Sequence, residues 1–161
     1  MSLSGHQTAN PVTTEWLTPP YIISALGEFD LDPCAPVNRP WGTARVHYTI
    51  KDDGLSLPWF GRVWLNPPFG RVSARWIKKM ADHNHGIALL AARTETKLFF
   101  DYVWGVANKV LFLEGRPHFY NARGERAVFN SGAPIVLIAY GRRDGWLLKK
   151  SGLKGFCAKV S

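Results

Sequence analysis

Acidic residues are scarce in this chain. It carries 12 Asp+Glu against 20 Lys+Arg, a formal net charge of +8. The shortage points to a polyanionic partner, because phosphate neutralisation supplies most non-specific affinity for nucleic acid. A cationic surface that serves only solubility is the alternative. Cysteine is nearly absent too. Cys34 and Cys157 stand alone, with no C-x-x-C, which excludes a framework of closely spaced disulfides and leaves a reduced, cytoplasmic chain as the expectation. No apolar run approaches the roughly 20 residues of a membrane helix. The run "PIVLIAY" has the length of a strand. The opening "MSLSGHQTANPVTTE" lacks an apolar signal core, so no secretion signal is expected. There is no internal repeat and no interior low-complexity linker, so a single domain is expected, preceded by a flexible arm over residues 1–14.

What is present suits a packed core. The 161 residues are 46% hydrophobic and 13% aromatic, with seven Trp, enough for one domain. Thr18 before Pro19 has the form of an N-cap and an N1 proline, opening a helix "PPYIISAL" that Gly27 ends. "FDLD", "ARVHYT" and "RVWL" are short strand candidates. Ser73 is placed to cap a helix through "ARWIKKMA". "GIALLA", "KVLFL" and "PIVLIAY" are nearly continuous apolar runs of the kind buried on both faces. The stripe Leu98, Phe99, Tyr102, Val103, Val106 predicts a helix, and "HFYNARGERAVF" a hairpin or long loop. After Gly141, Arg142, Arg143, Lys149, Lys150, Lys154 and Lys159 form a basic tail over residues 142–161. Strands alternating with helices predict an α/β fold with a mostly parallel central sheet and helices on both faces. Ligands in such sheets bind beyond the carboxyl ends of the strands. Those ends carry Asp32-Pro33-Cys34, Asn66-Pro67-Pro68-Phe69 and Arg93-Thr94, which are therefore expected to converge.

The stretch "VWLNPPFG" has a chemical reading. An exocyclic amine on a nucleobase is a poor nucleophile, because its lone pair is delocalised into the ring. Two hydrogen-bond acceptors, each taking one N–H, would hold it pyramidal. The Asn66 side-chain oxygen is one such acceptor and the Pro67 carbonyl the other. Pro68 biases Pro67 towards an extended conformation, and the two prolines remove two competing donors. Phe69 offers a flat face on which a flipped base stacks. Read alone, the tetrapeptide is also what a strand ending in a polyproline turn would show.

The order of motifs carries a resemblance. "NPPF" resembles the [DNS]-P-P-[YFW] motif of amino-methyltransferases, "EWLTPPYIISAL" the Thr-Pro motif of the gamma arrangement, and "FDLDPCA" the acidic-Pro-x-Ala cofactor turn. With "DDGL", "LLAARTET" and "FLEGRPHF", the set from Glu15 to Tyr140 resembles the phage-type DNA N6-adenine methyltransferase family. The resemblance implies a compact Rossmann-like fold over residues 15–141 and S-adenosylmethionine-dependent methylation of adenine N6 in DNA. Asn66, Pro67, Pro68 and Phe69 would form the catalytic loop. Thr18 and Pro19 would touch the methionine end of the cofactor. Asp32, Pro33, Cys34 and Ala35 would line its turn, and Asp53, with Asp52 second, would hold the ribose. Arg93, Thr94, Arg116, Arg123 and Arg126 are candidates for double-stranded DNA carrying the flipped adenine. The sequence departs from the pattern in a short interval from Asp32 to Asn66 and in having no sizeable target-recognition domain, so weak sequence specificity is expected.

Other readings stay open at this level. The same acceptor pair suits cytosine N4, RNA adenine or a protein glutamine amide, and a basic surface alone suits a non-catalytic DNA-binding module. Cys34 reads as a small pocket residue rather than a nucleophile. His83-Asn84-His85 reads as a solvated loop rather than a metal site. Trp59 and Trp64 read as core.

Overall fold

Two prolines open the first helix because their fixed φ suits a first turn. In the computed structural model, which describes residues 15–161, α1 spans Pro20–Leu26 and ends at Gly27, whose φ of 86° only glycine adopts freely. The arm expected over residues 1–14 lies outside the described residues. The chain then forms β1 (Leu31–Asp32), β2 (Val46–His47), β3 (Val63–Leu65), α2 (Ser73–His83) and β4 (Gly86–Ala91). It continues as α3 (Lys97–Tyr102), β5 (Lys109–Leu113), β6 (Ile135–Tyr140), α4 (Arg142–Lys150) and β7 (Gly155–Lys159).

The strands make one sheet in the order β2-β1-β3-β4-β6-β5-β7. Successive side chains of a strand face opposite ways, and the two cores follow that rule. Ile87 and Leu89 of β4, with Leu137 and Ala139 of β6, pack under Ile22 and Leu26 of α1 and Leu148 of α4. Ala88 and Leu90, with Val136 and Ile138, pack under Trp76, Ile77 and Met80 of α2 and Phe99 of α3. Helices thus cover both faces, as the doubly buried runs require.

The sheet is mixed, which corrects the expectation of a mostly parallel one. β2, β1, β3 and β4 pair in parallel, but β6 lies antiparallel to both β4 and β5, and β7 antiparallel to β5. The reason is the connection from β5 to β6, which holds no helix to carry a parallel crossover. It is a hairpin-like loop. Residues 142–161, expected as a basic tail, also belong to the sheet: α4 packs against β5 and β6, and β7 pairs with β5 from Lys109↔Lys159 to Leu113↔Gly155. Lys149 and Lys150 sit in the last turn of α4, where cations complement the helix dipole.

Two caps differ from the pattern. Val72, not Ser73, precedes α2, and the Ser73 hydroxyl donates to the Gly70 carbonyl at 2.6 Å. Pro19 stands at the cap of α1, and no side chain caps that helix. The Thr18 hydroxyl is engaged elsewhere. Helix α3 also stops short of Val106. Gly105 turns left-handed at φ 72°, and its N–H bonds the Val160 carbonyl at 3.2 Å. No helix among the described residues is long and apolar enough to cross a membrane.

Candidate active site

The chain leaves β1 for β2 on one side, then crosses back to β3 and β4 on the other. Such a reversal opens a crevice beyond the carboxyl ends of the two strands between which it occurs. Here those strands are β1, which ends at Asp32, and β3, which ends just before Asn66. A small cleft at this point is lined by Trp16, Thr18, Asp32, Cys34 and Asn66.

Asp32 is buried, and its carboxylate organises the turn that follows. It accepts the Cys34 N–H at 3.0 Å and the Thr43 hydroxyl. Burial raises its pKa to about 6, against the opposing pull of Thr43, the Cys34 amide and the charge of Arg39. The same burial, with the neighbouring charge of Asp32, pushes the Cys34 thiol up to about 12. A thiol held protonated makes a poor nucleophile. Ala35 is buried, and its N–H bonds the Tyr48 carbonyl at 2.9 Å. Thr43 was not foreseen, since nothing in its local pattern signals a partner eleven residues back.

The acidic loop 52–54 stands against this turn. Gly54 lies so close to the Pro33 carbonyl that a Cβ there would collide with it. Asp53, at φ 56°, is exposed, and one of its carboxylate oxygens accepts the Ser56 hydroxyl at 2.6 Å. Asp52 instead accepts the Thr49 N–H at 2.8 Å and holds its own turn. The loop is fastened from below. The Lys79 ammonium donates to the Leu55 and Leu57 carbonyls at 2.7 and 2.5 Å, and the Trp59 indole N–H donates to Gly54 at 2.8 Å. Desolvation lowers the Lys79 pKa. Trp64 is buried in the core, and Trp59 is half-buried and packs against the core.

Asn66 is held by Thr18. Its side-chain NH2 donates to the Thr18 hydroxyl at 3.3 Å, and Thr18 is itself buried. An amide that spends its nitrogen on one side presents its oxygen on the other. Among the described residues no donor reaches that oxygen. Pro67 is buried, Pro68 exposed, and Phe69 is 55% exposed. A large aromatic ring left open beside a polar cleft is available for stacking.

The β5–β6 loop reaches the wall of the cleft at Leu17. Leu17 and Tyr120 exchange backbone bonds of 2.8 and 3.0 Å, so the β5–β6 loop is tied beside Thr18. Trp41 meets Tyr120 edge-on at 5.2 Å, and the loop at Gly124 rests near Pro40. Arg123 and Arg126 lie exposed on that loop, and Arg116 at its base donates to the Gly132 carbonyl at 3.3 Å. Arg93 is exposed just after β4, and the Thr94 carbonyl accepts the Trp104 indole N–H at 3.1 Å. The structure thus brings Thr18, Asp32, Cys34 and Asn66 into one cleft, and none of the four candidate arginines lines it. Trp16, a cleft wall, was legible in "EWLTPP" but assigned no role. The His83 Nε2–H donates to the Gly61 carbonyl at 2.7 Å, and no metal-binding cluster is present among the described residues. A cavity of about 320 Å³ elsewhere, between Tyr21, Glu114 and Lys154, is lined by none of the candidate site residues, although Tyr21, Leu113, Glu114 and Pro117 come from the "EWLTPPYIISAL" and "FLEGRPHF" motifs.

One comparison shows the family of the chain. The model of the family DNA N-6-adenine-methyltransferase (Dam) matches residues 5–144. The chain belongs to this family. It is accordingly an S-adenosylmethionine-dependent enzyme that methylates adenine N6 in DNA. No curated protein and no solved structure matches it.

Proposed function

We propose that the Asn66–Phe69 loop holds an adenine flipped out of double-stranded DNA, with S-adenosylmethionine in the crevice between β1 and β3. The reading rests above all on the Asn66–Thr18 hydrogen bond of 3.3 Å, which leaves the Asn66 oxygen free to accept. That oxygen takes one N6 proton and the Pro67 carbonyl the other. The amine nitrogen is thereby held pyramidal, with its lone pair turned out of the ring. Phe69 stacks on the base. Asn66 is neutral, so the amine need not be deprotonated before attack, and its proton leaves as the nitrogen becomes cationic. The chain's contribution is positioning and electrostatics.

The cleft suits the cofactor chemically. The cofactor supplies a methyl group on a sulfonium, which is cationic, and the carboxylate of Asp32 places negative charge in the cleft wall. No phosphate needs a glycine cradle, and none is present in the "DPCA" turn. Thr18 and Pro19 would meet the methionine end, Pro33 to Ala35 the body of the cofactor, and Asp53 the ribose hydroxyls. Asp53 suits that role better than Asp52 because it adjoins Gly54, which abuts the Pro33 carbonyl, whereas Asp52 holds the Thr49 N–H and hydroxyl of its own turn. Arg93, Thr94, Arg116, Arg123 and Arg126 would contact the DNA backbone. A cytoplasmic setting follows from the same reading.

The test is the product. Protein, S-adenosylmethionine and unmethylated DNA are incubated, the DNA is digested to nucleosides, and these are separated by mass. N6-methyladenine is expected. N4-methylcytosine instead, or methyl transfer only to RNA or protein, overturns the proposal.

A further inference from the structure

The β5–β6 loop contains an unusual protrusion. Two hydrogen bonds close it as a hairpin: the Ala127 N–H to the Phe119 carbonyl at 2.7 Å, and the Ser131 N–H to the Pro117 carbonyl at 2.8 Å. Between these rungs one side runs only through His118, while the other runs through Val128, Phe129 and Asn130. The longer side must bulge outward. His118 also braces the base of the bulge, its Nδ1 lying 2.9 Å from the Ala127 carbonyl. On the bulge Val128 is 86% exposed and Phe129 is 74% exposed. Two large apolar side chains are thus pushed into water on a segment pinned at both ends.

The surroundings say what would cover them. Arg126 and Arg123 precede the bulge, both exposed, and Arg116 is tied to the Gly132 carbonyl just after it. An apolar tip ringed by guanidinium groups matches a partner with a stacked apolar interior and a phosphate exterior. The bulge also stands on the correct edge of the sheet. β6 begins at Ile135, paired with Ala91 at the carboxyl end of β4. Through the Tyr120–Leu17 rungs the hairpin is fixed one residue from Thr18, the partner of Asn66.

Resting on the flipped-adenine reading above, we infer that Phe129, supported by Val128, is a wedge that enters the DNA stack where the target adenine leaves it. Unstacking and unpairing a base costs a few kcal/mol, least where the base is already unpaired. Phe129 would offset that cost by filling the vacated space, while the arginines hold the flanking phosphates. The wedge acts on extrusion of the base, and Asn66 on the amine.

The experiment compares Phe129→Ala with the unaltered protein on two duplexes drawn from DNA that the unaltered protein methylates. In one the target adenine faces thymine. In the other it faces an abasic site. The variant is expected to lose tenfold or more in rate on the paired duplex and less than threefold on the abasic one, with unchanged melting temperature and cofactor affinity. Phe129→Trp should retain the rate on both. An equal loss on the two duplexes, or no loss on either, overturns the wedge. So does a dimer in light scattering that Phe129→Ala disperses, since the bulge would then be a contact between copies. If the unaltered protein methylates no DNA from which such duplexes can be drawn, the flipped-adenine reading fails first, and the wedge with it.

Discussion

The two edges of the sheet use polar residues in opposite ways. At the amino edge Arg62, just before β3, meets Asp144 of α4 at 2.6 Å, with side chains only 6% and 0% exposed. The Arg62 guanidinium also donates to the Leu26 and Glu28 carbonyls at 2.7 and 3.0 Å and lies 4.2 Å over the Phe29 ring. Asp144 sits in the first turn of α4, where a carboxylate suits the helix dipole. Charge there is turned inward and serves the fold, with one Arg62 nitrogen and one Asp144 oxygen buried without a hydrogen-bond partner among the described residues. At the carboxyl edge the Phe69 ring and the Arg93 side chain are exposed, and among the described residues no donor reaches the Asn66 oxygen. Polar groups that answer one another hold a structure together, and those left unanswered are free to act on something else.

The contrast breaks most sharply at Arg62. Replacing one member of a buried pair strands the other, at a cost of about 3–5 kcal/mol. Arg62→Ala should therefore lower the urea midpoint severely, although it lies across the sheet from the chemistry. A melting curve within a degree or two of the unaltered protein would show the pair to be dispensable.

Asp32 belongs to both worlds, being buried like Asp144 but lying in the cleft. Its pKa rises on folding from 3.8 to about 6, chiefly through burial. The folded state then binds more protons than the unfolded one in that interval. The contribution of Asp32 is most favourable below pH 4 and is lost as pH rises through about 6, on the order of 3 kcal/mol in all. Asp32→Asn should remove that slope. Stability curves of the two proteins that run parallel from pH 4 to 7 would contradict the assignment.

Smaller effects belong to the open edge. Phe69→Ala should weaken productive DNA binding by the roughly 1–3 kcal/mol of a base–aromatic stack, raising KM while leaving the melting temperature alone. Thr18→Val removes one hydrogen bond, worth about 1 kcal/mol, and should lower kcat about fivefold, whereas Thr18→Ser restores it. A Thr18→Val enzyme with normal kcat would mean that Asn66 needs no help to present its oxygen.

Much of this was legible in the residues, and what was not has physical causes. Continuous apolar runs such as "GIALLA" announce burial on both faces. They carry no direction, however, so the antiparallel course of "PIVLIAY" could be read only from the helix-free connection before it. Basic residues on α4 and β7 point to solvent and disguised a segment whose Leu148 and Asp144 face inward. Thr18-Pro19 has the local form of a cap, yet its hydroxyl serves a residue 48 positions away. Local pattern assigns a polar group to its nearest use, whereas tertiary structure can claim it for another. Asp32, Asn66 and Arg93-Thr94 were expected to converge as carboxyl ends of strands; Asp32 and Asn66 do line one cleft, because their strands flank the reversal in the sheet, whereas Arg93 and Thr94 do not line it.

The most direct measurement is a paired assay of Asn66→Ala. Loss of the acceptor should cut N6-methyladenine formation by about 10²-fold or more, the scale on which removal of one preorganised hydrogen-bonding group acts. S-adenosylmethionine affinity and melting temperature should stay within error of the unaltered protein. Methylation that survives at near-normal rate in Asn66→Ala would contradict the claim that this amide holds the reacting amine.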